Sequence, residues 1–151
     1  MEVCSFYSAD IRDLNRQSRA AIINAGVSKG RNVLITGAGG GVALLAVQLS
    51  LAKGANVFVT SGSDEKIQKL LPFGIRGGIN YRRSERSLLG LCCVSKLICC
   101  HTEDWHVKLG NLLEKENNGL LDAVVDSAGR DIVEKTSKLL KPGGKIVAYG
   151  M

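Results

Sequence analysis

Apolar residues along this chain gather in short dense runs set between glycine-containing turns. Asn32–Thr36 (NVLIT), Asn56–Thr60 (NVFVT), Gly78–Tyr81, Leu121–Asp126 (LDAVVD) and Lys145–Tyr149 (KIVAY) are rich in β-branched residues and lack strict apolar–polar alternation. Runs of that kind predict strands covered on both faces, as in a parallel sheet. Longer segments of different pattern lie between them. Arg19–Ala25 reads as the end of a helix stopped by Gly26. Gly41–Lys53 (GVALLAVQLSLAK) is apolar on nearly every side, which predicts a helix packed deeply on a sheet and ended by Gly54. Ser63–Leu71 opens on Ser63, Asp64 and Glu65, residues suited to the positive end of a helix, and Pro72 and Gly74 close it. Asp104–Lys115 is amphipathic, with Trp105 as a packing anchor and His106 read as a surface residue rather than a proton shuttle. Arg130–Leu140 forms a further helix before a turn at Lys141–Gly144.

Strands that alternate with helices imply right-handed crossovers and a parallel sheet. The expected fold is therefore α/β, a doubly wound parallel sheet of Rossmann type. Its five predicted strands stand in the order 3-2-1-4-5, and the chain runs out after the fifth. Ligands in such sheets bind beyond the strand C-termini, where the order reverses, here between the first and fourth strands. Residues 1–18 are polar and show no period, so the domain is expected to span 19–151, with an unmatched insertion at 82–103.

Composition narrows the classes of function. Apolar residues make up 45% of the chain and aromatics 5%, with 18 glycines, which disfavours an aromatic-lined pocket. The net charge of +6 is carried by scattered rather than striped basic residues. It suits an anionic small ligand better than nucleic acid. No run reaches the roughly 20 apolar residues of a membrane helix. The N-terminus MEVCSFYSAD does not read as a secretory leader. Five cysteines, an odd number, fit reduced thiols in the cytoplasm, with mitochondria left open.

The segment Val33–Ala43 carries the most chemistry. A strand runs into Gly37, Ala38, Gly39, Gly40 and Gly41, and these open a helix at Val42. A helix N-terminus offers unpaired amides and a favourable dipole to a diphosphate, and glycines let the backbone come close. The strict G-x-G-x-x-G string is absent; Gly37, Gly40 and Ala43 make a looser G-x-x-G-x-x-A. An acid ending the second strand would bind a ribose 2′-hydroxyl and select NAD(H). That place reads Thr60-Ser61-Gly62-Ser63. Without the acid a 2′-phosphate is not repelled, Ser61 can donate to it and Lys66 can neutralise it, with Tyr81 beside the adenosine end. NADP(H) is therefore favoured over NAD(H). Asp126 has two open readings, shaping the crevice or capping. No residue is assigned as catalytic.

Taken with GGINYR, DWHVKL, LLDAVVDSAGRD and LLKPGGKIVAYG, this text resembles the cofactor domain of medium-chain dehydrogenases/reductases. The likeness is to the quinone oxidoreductase branch and to fungal zinc-type alcohol dehydrogenase-like proteins. The resemblance implies an oxidoreductase that transfers hydride to a carbonyl, quinone or enone. It implies that Lys66 and Tyr81 hold the 2′-phosphate. It also places Ser127-Ala128-Gly129 and Gly150 near the nicotinamide ribose. The family's catalytic domain has no counterpart in the text, so the contrasting expectation is a non-catalytic nucleotide-binding fragment or a misread gene product. Residues 82–103 hold four of the five cysteines and interrupt the resemblance, as a retained intron or an insertion would. Cys92-Cys93, Cys99-Cys100 and His101 lack ordinary zinc-ligand spacing, so no zinc is expected.

Overall fold

The computed structural model describes residues 10–81, 97–98, 105–117, 119–127 and 132–149. Its centre is β1 (Asn32–Ile35), every residue of which is buried. β2 (Asn56–Ser61) pairs along one edge and β5 (Leu121–Asp126) along the other, both parallel, with Val33 opposite Val57 and Ala123. β3 (Gly77–Asn80) continues outward from β2, and β6 (Leu140–Ala148) from β5. The expected order 3-2-1-4-5 is thus the order observed for the five long strands. One strand was not foreseen: β4 (Leu97–Ile98), inside the anomalous stretch, adds to the outer edge of β3, giving β4-β3-β2-β1-β5-β6. The other residues of 82–103 lie outside the described residues.

Alternate side chains of the inner strands divide the core in two. Val33, Ile35, Val57, Val59, Ala123 and Val125 face α1 (Ile11–Asn24), α2 (Gly41–Ala52) and α3 (Asp64–Leu70). Leu34, Phe58, Ile79 and Val124 face α4 (Trp105–Asn117), where Trp105, Leu109, Leu112 and Leu113 are buried against them. Ile132 of α5 (Ile132–Ser137) joins that second cluster. Two covered faces explain why the strands read as unbroken apolar runs. α2 is apolar all round for a related reason: it lies on the sheet and α1 packs across it.

Three local readings change. α1 ends where Arg19–Ala25 was read as a helix end, but it starts at Ile11, where Asp10 Oδ1 accepts from the Arg12 amide, so the segment 11–18 read as aperiodic is helical. Its buried face includes Ser18, whose hydroxyl donates to the Asn15 carbonyl, so the apolar stripe is broken in the sequence while the helix persists. The Lys141–Gly144 turn lies inside β6 and does not precede it. Leu140 already pairs with Leu121, and the next pair is Ala123 with Lys145, so these four residues bulge out, with Gly143 at φ 79°. His106 is half-buried, stacks edge-on to Trp105, and its Nδ1 is enclosed with no hydrogen-bond partner among the described residues. Trp105 is buried, as an anchor should be.

A second enclosed polar group lies in α2. Ser50 is fully buried and its hydroxyl has no partner among the described residues. An unsatisfied buried hydroxyl costs about 1–3 kcal/mol, and alanine is the better helix former. Ser50→Ala is expected to stabilise the chain by about 1 kcal/mol, a rise in Tm of roughly 2–4 °C. Thermal unfolding of the two proteins side by side is the check; a lower Tm for the variant would mean that the hydroxyl has a partner.

Candidate functional site

The site begins where β1 stops. Two more amides extend the ladder beyond it: Thr36 donates to the Val125 carbonyl at 3.0 Å and Ala38 to the Thr60 carbonyl at 2.9 Å. Between them Gly37 turns the chain with φ 66°, a conformation that L side chains rarely adopt, and a Cβ there would collide with Ser127 Oγ. The Gly40 amide closes the turn on the Gly37 carbonyl at 3.0 Å, and the Leu44 amide on Gly40 makes the first bond of α2. Gly40 is the N-cap of that helix and supplies no side-chain cap; no acid lies in the first turn. The leading amides of α2 therefore keep their donors, with the positive end of the helix dipole behind them.

The floor under this turn is polar and closed. Thr36, itself fully buried, donates its hydroxyl to Asp126 Oδ1 at 2.5 Å and accepts the Ser127 amide at 3.0 Å. The Ser127 hydroxyl donates to the Thr36 carbonyl at 3.2 Å. Asp126 is buried, and its carbonyl accepts the Tyr149 amide at 2.9 Å. These contacts make Asp126 part of the floor of the crevice. Beside it the Tyr149 hydroxyl is enclosed and makes no well-formed hydrogen bond. Burial pushes that phenol up from its ordinary value near 10; the neighbouring Ser127 hydroxyl pulls the other way and the Asp126 carboxylate adds to the rise.

The facing wall comes from the end of β2 and from α3. Ser61 is buried and its Oγ accepts the Ser63 amide at 3.4 Å, which leaves its O–H to donate elsewhere. Asp64, the first acid after β2, accepts from Asn80 Nδ2 at 2.9 Å. Lys66 reaches back from α3 across the turn, its Nζ over Gly39. Together Gly37, Gly39, Gly40, Ser61, Gly62, Ser63, Lys66 and Tyr81 enclose a cavity of about 240 Å³. Its lining holds one cation and no acid.

Six residues singled out from the sequence line this cavity: Gly37, Gly39, Gly40, Ser61, Lys66 and Tyr81. Four described ones do not. Ala38 is fully buried beneath the turn and spends its amide on Thr60. Gly41 lies against Leu14 of α1, Val42 is half-buried in α2, and Ser127 belongs to the floor. Gly129 and Gly150 lie outside the described residues. Gly62 and Ser63 were missed although they follow Ser61 directly. Thr36 and Tyr149 carried no local signal at all, because their partners lie on other strands. Among the described residues no group of three or more His, Cys, Asp or Glu is placed to hold a metal ion. No helix there is long and apolar enough to cross a membrane.

Both the sequence and the fold have counterparts among known proteins. The pattern of the zinc-binding dehydrogenase family matches residues 41–151. The zinc-type alcohol dehydrogenase-like protein YogA of Leptosphaeria maculans is 41% identical over 134 residues, covering 88% of this chain and 32% of that protein. The chain thus spans about a third of that curated relative. Among solved structures, the nucleotide-binding subdomain of the enoylreductase domain of PpsC from Mycobacterium tuberculosis superposes with a TM-score of 0.69 at 23% identity, over 93% of this chain and 68% of that one. At that identity the likeness is one of fold. An NAD-dependent alcohol dehydrogenase superposes with a TM-score of 0.67 at 25% identity, over 96% of this chain and 36% of its own. By its match to the family's sequence pattern over residues 41–151, the chain belongs to the zinc-binding dehydrogenase family, and its sheet order gives it the fold of the superposed subdomain.

Proposed function

We propose that this chain binds NADP(H), in preference to NAD(H), as the cofactor domain of an oxidoreductase. The domain is the span 19–151, with 82–103 inserted, extended at its start by the part of α1 from Ile11 that packs on α2. One observation carries the reading: the uncapped start of α2 faces Lys66 and Ser61 across a cavity without an acidic wall. The empty side of Gly40 supports the fit. A Cβ built there meets nothing closer than the Gly37 carbonyl at 3.7 Å, so the protein's own packing gives no reason for glycine, whereas a closely approaching diphosphate does.

In this reading the turn Gly37–Val42 cradles the diphosphate through its backbone, with Ala38 acting from beneath as the residue that fixes the turn. Ser61 donates to the 2′-phosphate, Lys66 neutralises it, and the exposed Tyr81 covers the adenosine end. Ser127 and Gly129 lie toward the nicotinamide side. Bound there, a nicotinamide dinucleotide supplies a hydride, and the protein contributes position and electrostatics. The carbonyl, quinone or enone acceptor is proposed for the family as a whole. No residue here is assigned a proton-transfer role. Among the described residues no set of His, Cys, Asp or Glu side chains is placed to hold a zinc ion. Because an NAD-dependent alcohol dehydrogenase shares the fold, the choice of dinucleotide falls to side chains, and here Asp64 is held by Asn80 while Lys66 lies over the site.

Calorimetric titration of the chain with NADPH and NADH tests this. NADPH is expected to bind more tightly, and Lys66→Ala to lower its affinity tenfold or more, about 1.4 kcal/mol, while NADH changes less than twofold. Raising the salt concentration should weaken NADPH more than NADH, since the added phosphate is the screened partner. A loss of fivefold or less for NADPH in Lys66→Ala would refute the role given to Lys66. Turnover is a separate matter: the chain is expected to bind NADPH without oxidising it in the presence of carbonyl substrates, and steady loss of NADPH absorbance would overturn that expectation.

A further inference from the structure

Lys66 is exposed, yet its side chain folds back toward the protein. Its side chain lies along the glycine turn, so that a Cβ built on Gly39 falls 2.6 Å from Nζ, 2.8 Å from Cδ and 3.2 Å from Cε. Gly39 lacks the positive φ that makes glycine necessary at Gly37. Nor does any other atom of the protein rank among its three nearest neighbours. The reason for glycine at Gly39 is thus a lysine from another element, whereas Gly41 makes room for Leu14 and Gly40 for nothing in the protein. The placement of Lys66 is also electrostatically one-sided. Its ammonium rests near the positive end of α2, whose first turn holds no acid, in a cavity lined by no carboxylate. A cation held there is relieved by an incoming anion.

Resting on the NADP(H) reading above, we propose that Gly39 is a positioning residue for cofactor choice. By carrying no side chain it lets Lys66 fold back over the turn. The ammonium then stays between the diphosphate cradle and the Ser61–Ser63 wall. A side chain held near its bound position loses less rotamer freedom when the ligand arrives. A methyl group at Gly39 takes the volume that the lysine occupies. Because the atoms it meets are the far part of a flexible side chain, the fold is retained while the ammonium is driven outward.

The test is a double-mutant cycle on the 151-residue chain. Wild type, Gly39→Ala, Lys66→Ala and the double variant are titrated with NADPH and with NADH, and their Tm values are recorded. Gly39→Ala is expected to melt like wild type and to lose about fivefold more affinity for NADPH than for NADH. In the Lys66→Ala background, adding Gly39→Ala is expected to change the two affinities by the same factor. An equal loss for both dinucleotides in Gly39→Ala overturns the proposal, since the methyl then obstructs the diphosphate itself. Unchanged affinity for both overturns it as well. So does a fall in Tm that Lys66→Ala fails to restore, which would place the clash in the backbone. If Lys66→Ala leaves the preference for NADPH intact, the reading of Lys66 fails first and the proposal falls with it; if only Gly39→Ala is silent, that reading stands and the proposal alone is lost. Gly39→Ser repeats the comparison with a larger group and should weaken NADPH at least as much as alanine.

Discussion

β1 is hydrogen-bonded along both edges and covered on both faces, so the chain can change direction only where that enclosure ends. Parallel pairing with β2 and β5 consumes its backbone groups, and the two apolar clusters consume its side chains. The crossover after β1 returns over one face to β2, while β5 is reached through α4 on the other. The two paths diverge beyond Ile35 and leave a crevice. Into that crevice the glycine turn delivers the start of α2, held by one ladder bond to β5 and one to β2. Every element of the candidate site is therefore placed by the confinement of a four-residue strand.

The electrostatics of the crevice follow from what the nearby acids are doing. Asp126 is buried and receives the Thr36 hydroxyl beneath the turn. Asp64 receives the Asn80 amide at the start of α3. Neither lines the cavity, and Lys66 is the charged residue that does. An uncapped helix start and an ammonium then act on the same small volume, a combination that attracts phosphate groups. Beside Asp126 the Tyr149 hydroxyl is enclosed, and burial raises its phenol above the ordinary value.

The parts of the fold that were legible are those whose signal is local. Val33–Ile35, Val57–Val59 and Ala123–Val125 read as buried strands because both faces must be apolar whichever partner covers them. The glycine turn stood out because strand, glycines and helix follow in immediate succession. The missed parts depend on partners. The first half of α1 looked aperiodic because residues 11–17 are exposed apart from half-buried Leu14, and the first core position after them is taken by Ser18, which satisfies its hydroxyl internally. The Lys141–Gly144 bulge looked like the loop before a strand because nothing in the text says that Leu140 is already paired with Leu121. β4 had no precedent in the resemblance. Thr36 and Tyr149 are ordinary strand-end residues until β5 is set beside them.

From the sequence alone came the class of fold, the order of its long strands, the glycine turn and the candidate residues Ser61, Lys66 and Tyr81, because periodicity, glycine context and the lack of an acid after β2 are all properties of neighbouring positions. Tertiary structure decided what lies against what: that Ala38 is buried below the turn, that Asp126 holds Thr36, and that Lys66 folds back onto Gly39. These contacts join residues brought together only by the crossovers of the sheet. Their existence depends on packing distances of a few ångströms that no local pattern records.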